Sequence, residues 1–225
     1  MQRAQIKDRP STPRAEIRRP VQKRSQIRFE AILDSAERLL DRLEPSEISV
    51  YTLADDAGFS PPSIYQFFSD STQVFVALAE RILGQFVTAF DRSPNAPFHT
   101  WQELMALRFG DARAFYNQNK AARSLLLGSG LSSAIRARDL NFDREIAMRS
   151  KEEIQKRFFV GDIPEIVERF TELLVINDAL WTLSVHRHGI ITDAYEEQAR
   201  RAREAYSRTF LPEYLPSRES ENVTA

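Results

Sequence analysis

The sequence contains no cysteine, which excludes disulfides, thiolate metal sites and a cysteine nucleophile and suits a reducing cytoplasm, the expected location. It has three histidines, His99, His186 and His188. The last two stand two residues apart, on nearly opposite sides of a helix, and cannot chelate one ion together. No run of about 18 apolar residues is present, so no membrane span and no membrane partner are expected. Strand signals of alternating β-branched residues are essentially missing as well, and the expectation is an all-α protein. Internal repeats are absent.

What is present fits a single substantial subunit. With 225 residues, 42% hydrophobic residues and only seven glycines, the chain can bury a large core. Its formal net charge of −1 conceals an asymmetry. Residues 1 to 28 hold Arg3, Lys7, Arg9, Arg14, Arg18, Arg19, Lys23, Arg24 and Arg28 against Asp8 and Glu16, about +7, which leaves about −8 for the remainder. Pro10, Pro13 and Pro20 interrupt this basic stretch and apolar residues are few, so residues 1 to 24 are expected to be a disordered arm. Such an arm can follow DNA phosphates or remain a solvated tail without a partner.

The most informative segment is Val50 to Phe68, VYTLADDAGFSPPSIYQFF. Ser49 is placed to cap a short helix that turns Leu53, Ala54 and Ala57 inward. Gly58 ends it, because leaving a helix through a left-handed conformation costs a residue with a side chain about 1 kcal/mol or more. Phe59 plugs the corner, Ser60 caps the next helix and Pro61 occupies its first turn, where a missing N–H loses nothing. Ile64 and Phe68 point back to the core and leave Ser60, Ser63, Tyr65 and Gln66 facing outward. The spacing from Ala54 to Gly58 to Ile64 is that of a helix-turn-helix. Before it, Phe29, Ile32, Leu33, Ala36, Leu40 and Leu43 keep a 3.6-residue period. After it, Asp70 can cap a helix carrying Phe75, Leu78, Ala79, Ile82, Phe86, Ala89 and Phe90 on one period.

Over residues 25 to 82 the chain resembles the tetracycline-repressor (TetR) family of bacterial transcription regulators. The resemblance rests on ILDSAERLL in the first helix, ISVYTLADDAGFSPPSIYQFFSD after it, and the amphipathic fourth helix. It implies a three-helix head, residues 25 to 70, on a helical ligand-binding and dimerisation domain, residues 71 to 215, with a disordered tail at 216 to 225. It also implies a homodimer that binds double-stranded operator DNA, most often as a repressor, and that is released by a small-molecule inducer. By position Ser63 and Tyr65 inherit contacts to the DNA backbone. The expected DNA face is Ser49, Thr52, Ser60, Pro61, Ser63, Tyr65, Gln66 and Ser71, with Arg24 and Arg28 from the basic segment. Two departures stand out: Phe67 where many members have histidine, and Ser71 where lysine usually opens the fourth helix. Both remove a candidate phosphate contact.

Breakers at Ser93-Pro94-Asn95-Ala96-Pro97, Leu127-Gly128-Ser129-Gly130, Gly161-Asp162 and Gly189 divide the rest into helices. Thr100 with Glu103, Asp162 with Glu165 and Asp193 with Glu196 have capping-box spacing. A helix from about Ile163 to His188 is apolar on a second side through Val175, Ile176, Ala179 and Leu183, and the last helix offers Tyr195, Ala199, Ala202, Tyr206 and Phe210. Ile176, Ala179, Leu183, Ala199, Ala202 and Tyr206 are the expected dimer interface; packing within one subunit is the alternative. Phe86, Phe90, Trp101, Met105, Phe109, Asn177 and Trp181 are the expected ligand-binding residues, with Phe115 and Tyr116 nearby. Packed core is the alternative there, and Asn177 can equally hydrogen-bond across the dimer seam.

Catalysis finds no support. Gly128-Ser129-Gly130 lacks the strand context of a nucleophile elbow, the acidic pairs read as solvated helix faces, and no metal or other cofactor is expected. The alternative function, from another class, is a helical dimeric adaptor whose head has lost specific DNA recognition, motivated by Phe67 and Ser71.

Overall fold

The computed structural model describes residues 17–92, 94, 96–128 and 133–218. The first sixteen residues of the expected arm, Ser129 and Gly130 of the glycine-rich break, and the tail from residue 219 lie outside the described residues.

Helix α1 (Lys23–Leu40) turns Phe29, Ile32, Leu33, Ala36 and Leu40 inward, and Leu43 packs from the turn beyond its end. A 3₁₀ turn at Pro45–Glu47 leads into α2 (Val50–Ala57) and α3 (Pro61–Tyr65). Gly58 joins these two at φ 69°, the left-handed value that favours glycine. Two side-chain details differ from the sequence reading. Ala57 is half-buried rather than core, and the Ser60 hydroxyl lies 3.0 Å from the Ser63 hydroxyl instead of capping α3.

Helix α4 (Ser71–Phe90) is capped by Asp70, whose carboxylate accepts from the Gln73 N–H at 3.0 Å. Its first half is buried all round, from Val74 to Ala79. By length and mean hydropathy this helix could cross a membrane, although Glu80, Arg81 and Gln85 interrupt it and no unbroken apolar run of about 18 residues is present. The apolarity has a different use, because α4 runs through the core and buries one side on the head. The boundary drawn at residue 70 is therefore no gap in packing. Val74, Phe75 and Leu78 complete the core of the head.

The body continues with α5 (Trp101–Gln118), α6 (Lys120–Leu126), α7 (Ser133–Arg157), α8 (Ile166–His188) and α9 (Asp193–Ser207). Thr100 and Glu103 form the expected capping box. The other two do not form. Helix α8 starts at Ile166, later than expected, after Glu165 in a left-handed conformation with φ 55°. Thr192, one residue earlier than expected, caps α9 by accepting from the Tyr195 N–H. Among the described residues there is no strand, only an isolated bridge between Phe158 and Ser217.

Residues 17 to 24, expected in the arm, are placed. Ile17 packs on the head core, the Arg18 N–H donates to the Phe67 carbonyl at 3.1 Å, and Lys23 and Arg24 open α1. At the other end, the Pro216 carbonyl accepts from the Phe159 N–H, and Arg218 lies over the Phe159 ring.

Two hydrophobic clusters result. One runs unbroken from the head through α4 into Tyr116, Leu173 and Trp181, and the other gathers Trp101, Ile154, Phe158, Phe170 and Leu211 at the far end. Met105 and Leu174 pack against both.

Candidate DNA-binding face and ligand cavity

The outer face of the head follows from which side chains the core consumes. Ile64, Phe67 and Phe68 are buried, and Tyr65 and Gln66 project outward from the end of α3, Tyr65 with 47% of its surface exposed. Ser60 is exposed, while Pro61, Ser63 and Ser71 are half-buried at the rim. Ser49 accepts from the Thr52 N–H at 3.1 Å and its hydroxyl lies 2.9 Å from that of Thr52, so both hydroxyls already have a local partner. Arg24 and Arg28 are exposed on α1 and make no ion pair among the described residues. Phe67 is 7% exposed, with its ring edge-on to Phe29 at 5.8 Å. It faces the core, so the departure noted at this position removes nothing from the outer face.

Two ion-pair groups fasten α4. Arg81 meets Asp34 and Glu37 of α1, each at 2.7 Å, and Glu30 at 3.2 Å. Glu80 pairs with Arg19 before α1 and with Arg138 of α7. The N-terminal segment, the head and α7 thus all connect to the middle of one helix.

At its C-terminal end α4 enters the wall of a cavity of about 80 Å³ at the seam of the two clusters. Phe86, Phe90, Trp101, Met105, Phe109, Asn177 and Trp181, which the sequence scatters over three helices, all line it. Phe86 packs edge-on to Phe115 at 5.4 Å and to Phe142 at 5.5 Å, and Trp181 edge-on to Tyr116 at 5.8 Å.

The polar groups of this wall went largely unread in the sequence. Arg108 is paired with Glu153 through two bonds of 2.9 and 2.5 Å and stacks over Phe90 at 4.5 Å. Arg203 of α9 is 1% exposed and lies over the Phe109 ring at 4.0 Å. It donates to Asn177 Oδ1 at 2.5 Å and to Glu196 at 2.7 Å, and Glu196 accepts from Trp181 Nε1 at 2.9 Å. Asn177 is therefore satisfied inside the subunit and does not reach a dimer seam. Asp143 and Asp178 also line the cavity, and with Asp139 their carboxylate oxygens lie within 4.8 Å of one another. Burial pushes the Asp139 carboxyl up to about 6 against the pull of Arg136. Burial, reinforced by neighbouring negative charge, raises Asp143 and Asp178 as well. The only sequence signal for the cluster was the four-residue step from Asp139 to Asp143, which puts both on one face of α7.

The expected interface residues separate into two groups. Ala179 and Leu183 are exposed on α8, with Ile176 half-buried beside them. Ala202 is half-buried, and Tyr206 is partly packed on the core with its hydroxyl donating to Glu172. Ala199 has no exposed surface and belongs to the core of its own subunit. It cannot contribute to a seam.

No protein-family model matches the sequence. Among curated proteins, the HTH-type transcriptional regulator EthR of Mycobacterium tuberculosis is 32% identical over 102 residues, 42% of this chain and 47% of that protein. EthR of Mycolicibacterium smegmatis is 35% identical over 82 residues, 36% of this chain and 37% of that protein. The matches span less than half the length of these relatives. Among solved structures, a TetR-family transcriptional regulator from Streptomyces coelicolor superposes with a TM-score of 0.64 at 20% identity, covering 82% of this chain and 99% of that one. SmeT, the repressor of the Stenotrophomonas maltophilia multidrug efflux pump SmeDEF, gives 0.60 at 14% identity, covering 84% and 93%. These structures share its fold from the head to the end of the body. The chain has the fold of these TetR-family structures.

Proposed function

We propose that the protein is a cytoplasmic transcriptional regulator, a repressor, that binds operator DNA as a homodimer and is released by a small apolar or amphipathic ligand. It acts by binding and not by catalysis. The observation that carries this reading is the course of α4. One helix packs against α1 of the head, is clamped to it through Arg81, and ends with Phe86 and Phe90 in the wall of the cavity. A ligand that pushes on Phe86 shifts the helix on which the head is seated. In a dimer, that shift alters the spacing of two recognition helices that must meet half-sites about 34 Å apart.

The DNA face fits the same reading. Tyr65, Gln66 and Ser60 project from the turn and α3, while Arg24 and Arg28 stand free on α1 to meet phosphate. The adaptor alternative drew on Phe67 and Ser71; Phe67 is a core side chain, and Ser71 is half-buried at the rim. The exposed α8 face around Leu183 is the proposed subunit contact, joined by Ala202 and Tyr206 rather than by Ala199. Selection of genomic fragments by the purified protein, followed by gel-shift titration of the recovered sequences, tests the reading. A shared palindromic site bound in the nanomolar range is expected, and retention of DNA with no sequence preference overturns it.

A further inference from the structure

The charges around the cavity are matched in pairs except at one place. Arg108 is taken by Glu153, Arg203 by Glu196 and Asn177, and Asp139 by Arg136 at 2.8 Å. Asp178 has one neutral donor, the Asn177 amide at 3.2 Å. Asp143 is 4% exposed, and its Oδ2 is buried without a hydrogen-bond partner. A buried carboxylate oxygen with nothing to bond is costly, because its hydration is lost and nothing replaces it. Beside it the cavity wall is aromatic, with Phe86, Phe142, Tyr116 and Trp181 presenting rings to the same space.

We propose that the cavity takes an organic cation, a molecule with an apolar or aromatic body and an ammonium head that sits between Asp143 and Asp178. This assignment rests on reading the cavity as the ligand site and names the chemistry of what enters it. A protonated amine supplies both things the site lacks: N–H donors for Asp143 Oδ2 and a positive charge for the two unpaired carboxylates. Its body takes the apolar remainder of the wall, where ring faces add a further attraction for the cation. A neutral ligand of the same shape can at most donate a hydrogen bond and leaves the charge uncompensated, and an anionic one adds repulsion. A divalent metal fits less well, since such ions take six or more oxygens. Beyond the carboxylates, the side chains of the lining offer only the hydroxyls of Ser150 and Tyr116 and an Asn177 oxygen already held by Arg203.

Three probes of one shape test this: 4-phenylbutylamine, 4-phenylbutanol and 4-phenylbutyrate, each titrated at up to millimolar concentration into the full-length protein and followed by calorimetry. The amine is expected to bind roughly tenfold or more tightly than the alcohol, with the acid weakest. In Asp143→Asn the amine should fall to the level of the alcohol, while alcohol binding, unchanged, reports that the cavity is intact. Equal binding of amine and alcohol to the wild type overturns the cation assignment and leaves the regulatory reading standing. Failure of all three to bind overturns both. Binding of Mn²⁺ or Ca²⁺ that is lost in Asp143→Asn, with no preference for the amine, replaces the proposal with a metal site.

Discussion

Asn177 and Arg203 form a buried hydrogen bond of 2.5 Å between α8 and α9, and each is 1% exposed. Removing Arg203 leaves the buried Asn177 Oδ1 without its donor, and removing Asn177 leaves the buried guanidinium with Glu196 alone. Arg203→Met should therefore lower stability by about 3 kcal/mol, within the range for breaking a buried charged contact. Pairing it with Asn177→Leu should cost clearly less than the sum of the two single changes. Urea unfolding at several protein concentrations, so that any subunit association is accounted for, measures both quantities. Strictly additive effects would mean that the bond couples nothing.

The DNA face gives a second test. Tyr65 has no structural duty visible in its surroundings, being half exposed at the end of α3. Tyr65→Ala should weaken operator binding by about 1–3 kcal/mol while circular dichroism and sedimentation stay unchanged. Phe67→Ala should do the reverse. It opens a cavity against Phe29 and Phe68 and lowers stability by about 3 kcal/mol. Gel shifts that respond to Phe67→Ala but not to Tyr65→Ala, in folded proteins, would reassign the contact surface.

These two residues also mark what was legible in the sequence. The helix-turn-helix was readable because local rules suffice there: a hydroxyl cap at Ser49, a left-handed glycine at Gly58 and a proline in the first turn of α3. The convergence of Phe86, Trp101, Asn177 and Trp181 was legible only through the aromatic content of the middle taken with the family resemblance, since the residues lie on three helices. Burial depth was not, because period alone cannot tell a second subunit from a neighbouring helix of the same chain, and so Ala199 was assigned to the wrong surface. Arg203 sits in the run ARRAREAYS as if solvated, and only the packing of α9 on α8 reveals it as core. Asp143 and Asp178 lie on different helices, so no spacing rule joins them.

The acidic cluster sets a pH dependence. The carboxyls of Asp139, Asp143 and Asp178 are held above their ordinary range, chiefly by burial. They face Tyr116 of α5, Arg136 of α7 and Asn177 of α8. Below about pH 4 these groups are protonated folded or unfolded, and they cost the fold nothing. As pH rises from there, the unfolded chain releases protons that the folded one retains, and stability falls until the folded groups ionise near neutral pH. Unfolding free energy should thus be lower at pH 8 than at pH 5, by an amount on the order of 1–3 kcal/mol after other groups are subtracted. In Asp143→Asn the difference should shrink, with the gain concentrated at pH 8. A variant less stable than wild type at pH 8 would show that the ionised carboxylate is favourable in the fold, contrary to its surroundings.

Assembly offers a fourth. Leu183 is 43% exposed and lies on α8 beside half-buried Ile176 and exposed Ala179. Leu183→Glu changes little within one subunit, since the side chain already meets solvent. Across an apolar subunit contact it buries an unpaired charge, and the dimer should dissociate to a folded monomer with reduced affinity for a two-half-site operator. Analytical ultracentrifugation decides this. A wild-type protein that sediments as a monomer at micromolar concentration removes the interface.

The last prediction concerns the passage of ligand binding to the head. Phe86 touches Phe115, Phe142 and the cavity, and five residues earlier on the same helix Arg81 grips three carboxylates of α1. Glu80 adds a tie from α4 to Arg138 on α7, the helix that carries Asp143. Phe86→Ala should leave ligand-free operator affinity close to wild type, because Phe86 lies outside the head core. It should make the ligand less able to release DNA, because the side chain that transmits the push is gone. Glu80→Gln should also blunt release by loosening α7 from α4, without touching the cavity. Linkage adds a stricter requirement: operator DNA must weaken ligand binding by the same factor by which ligand weakens operator binding. Measuring both affinities in the wild type and in Phe86→Ala gives two coupling factors, and the variant's should be closer to one. If the coupling is unchanged in Phe86→Ala and in Glu80→Gln, α4 is not the element that carries the signal.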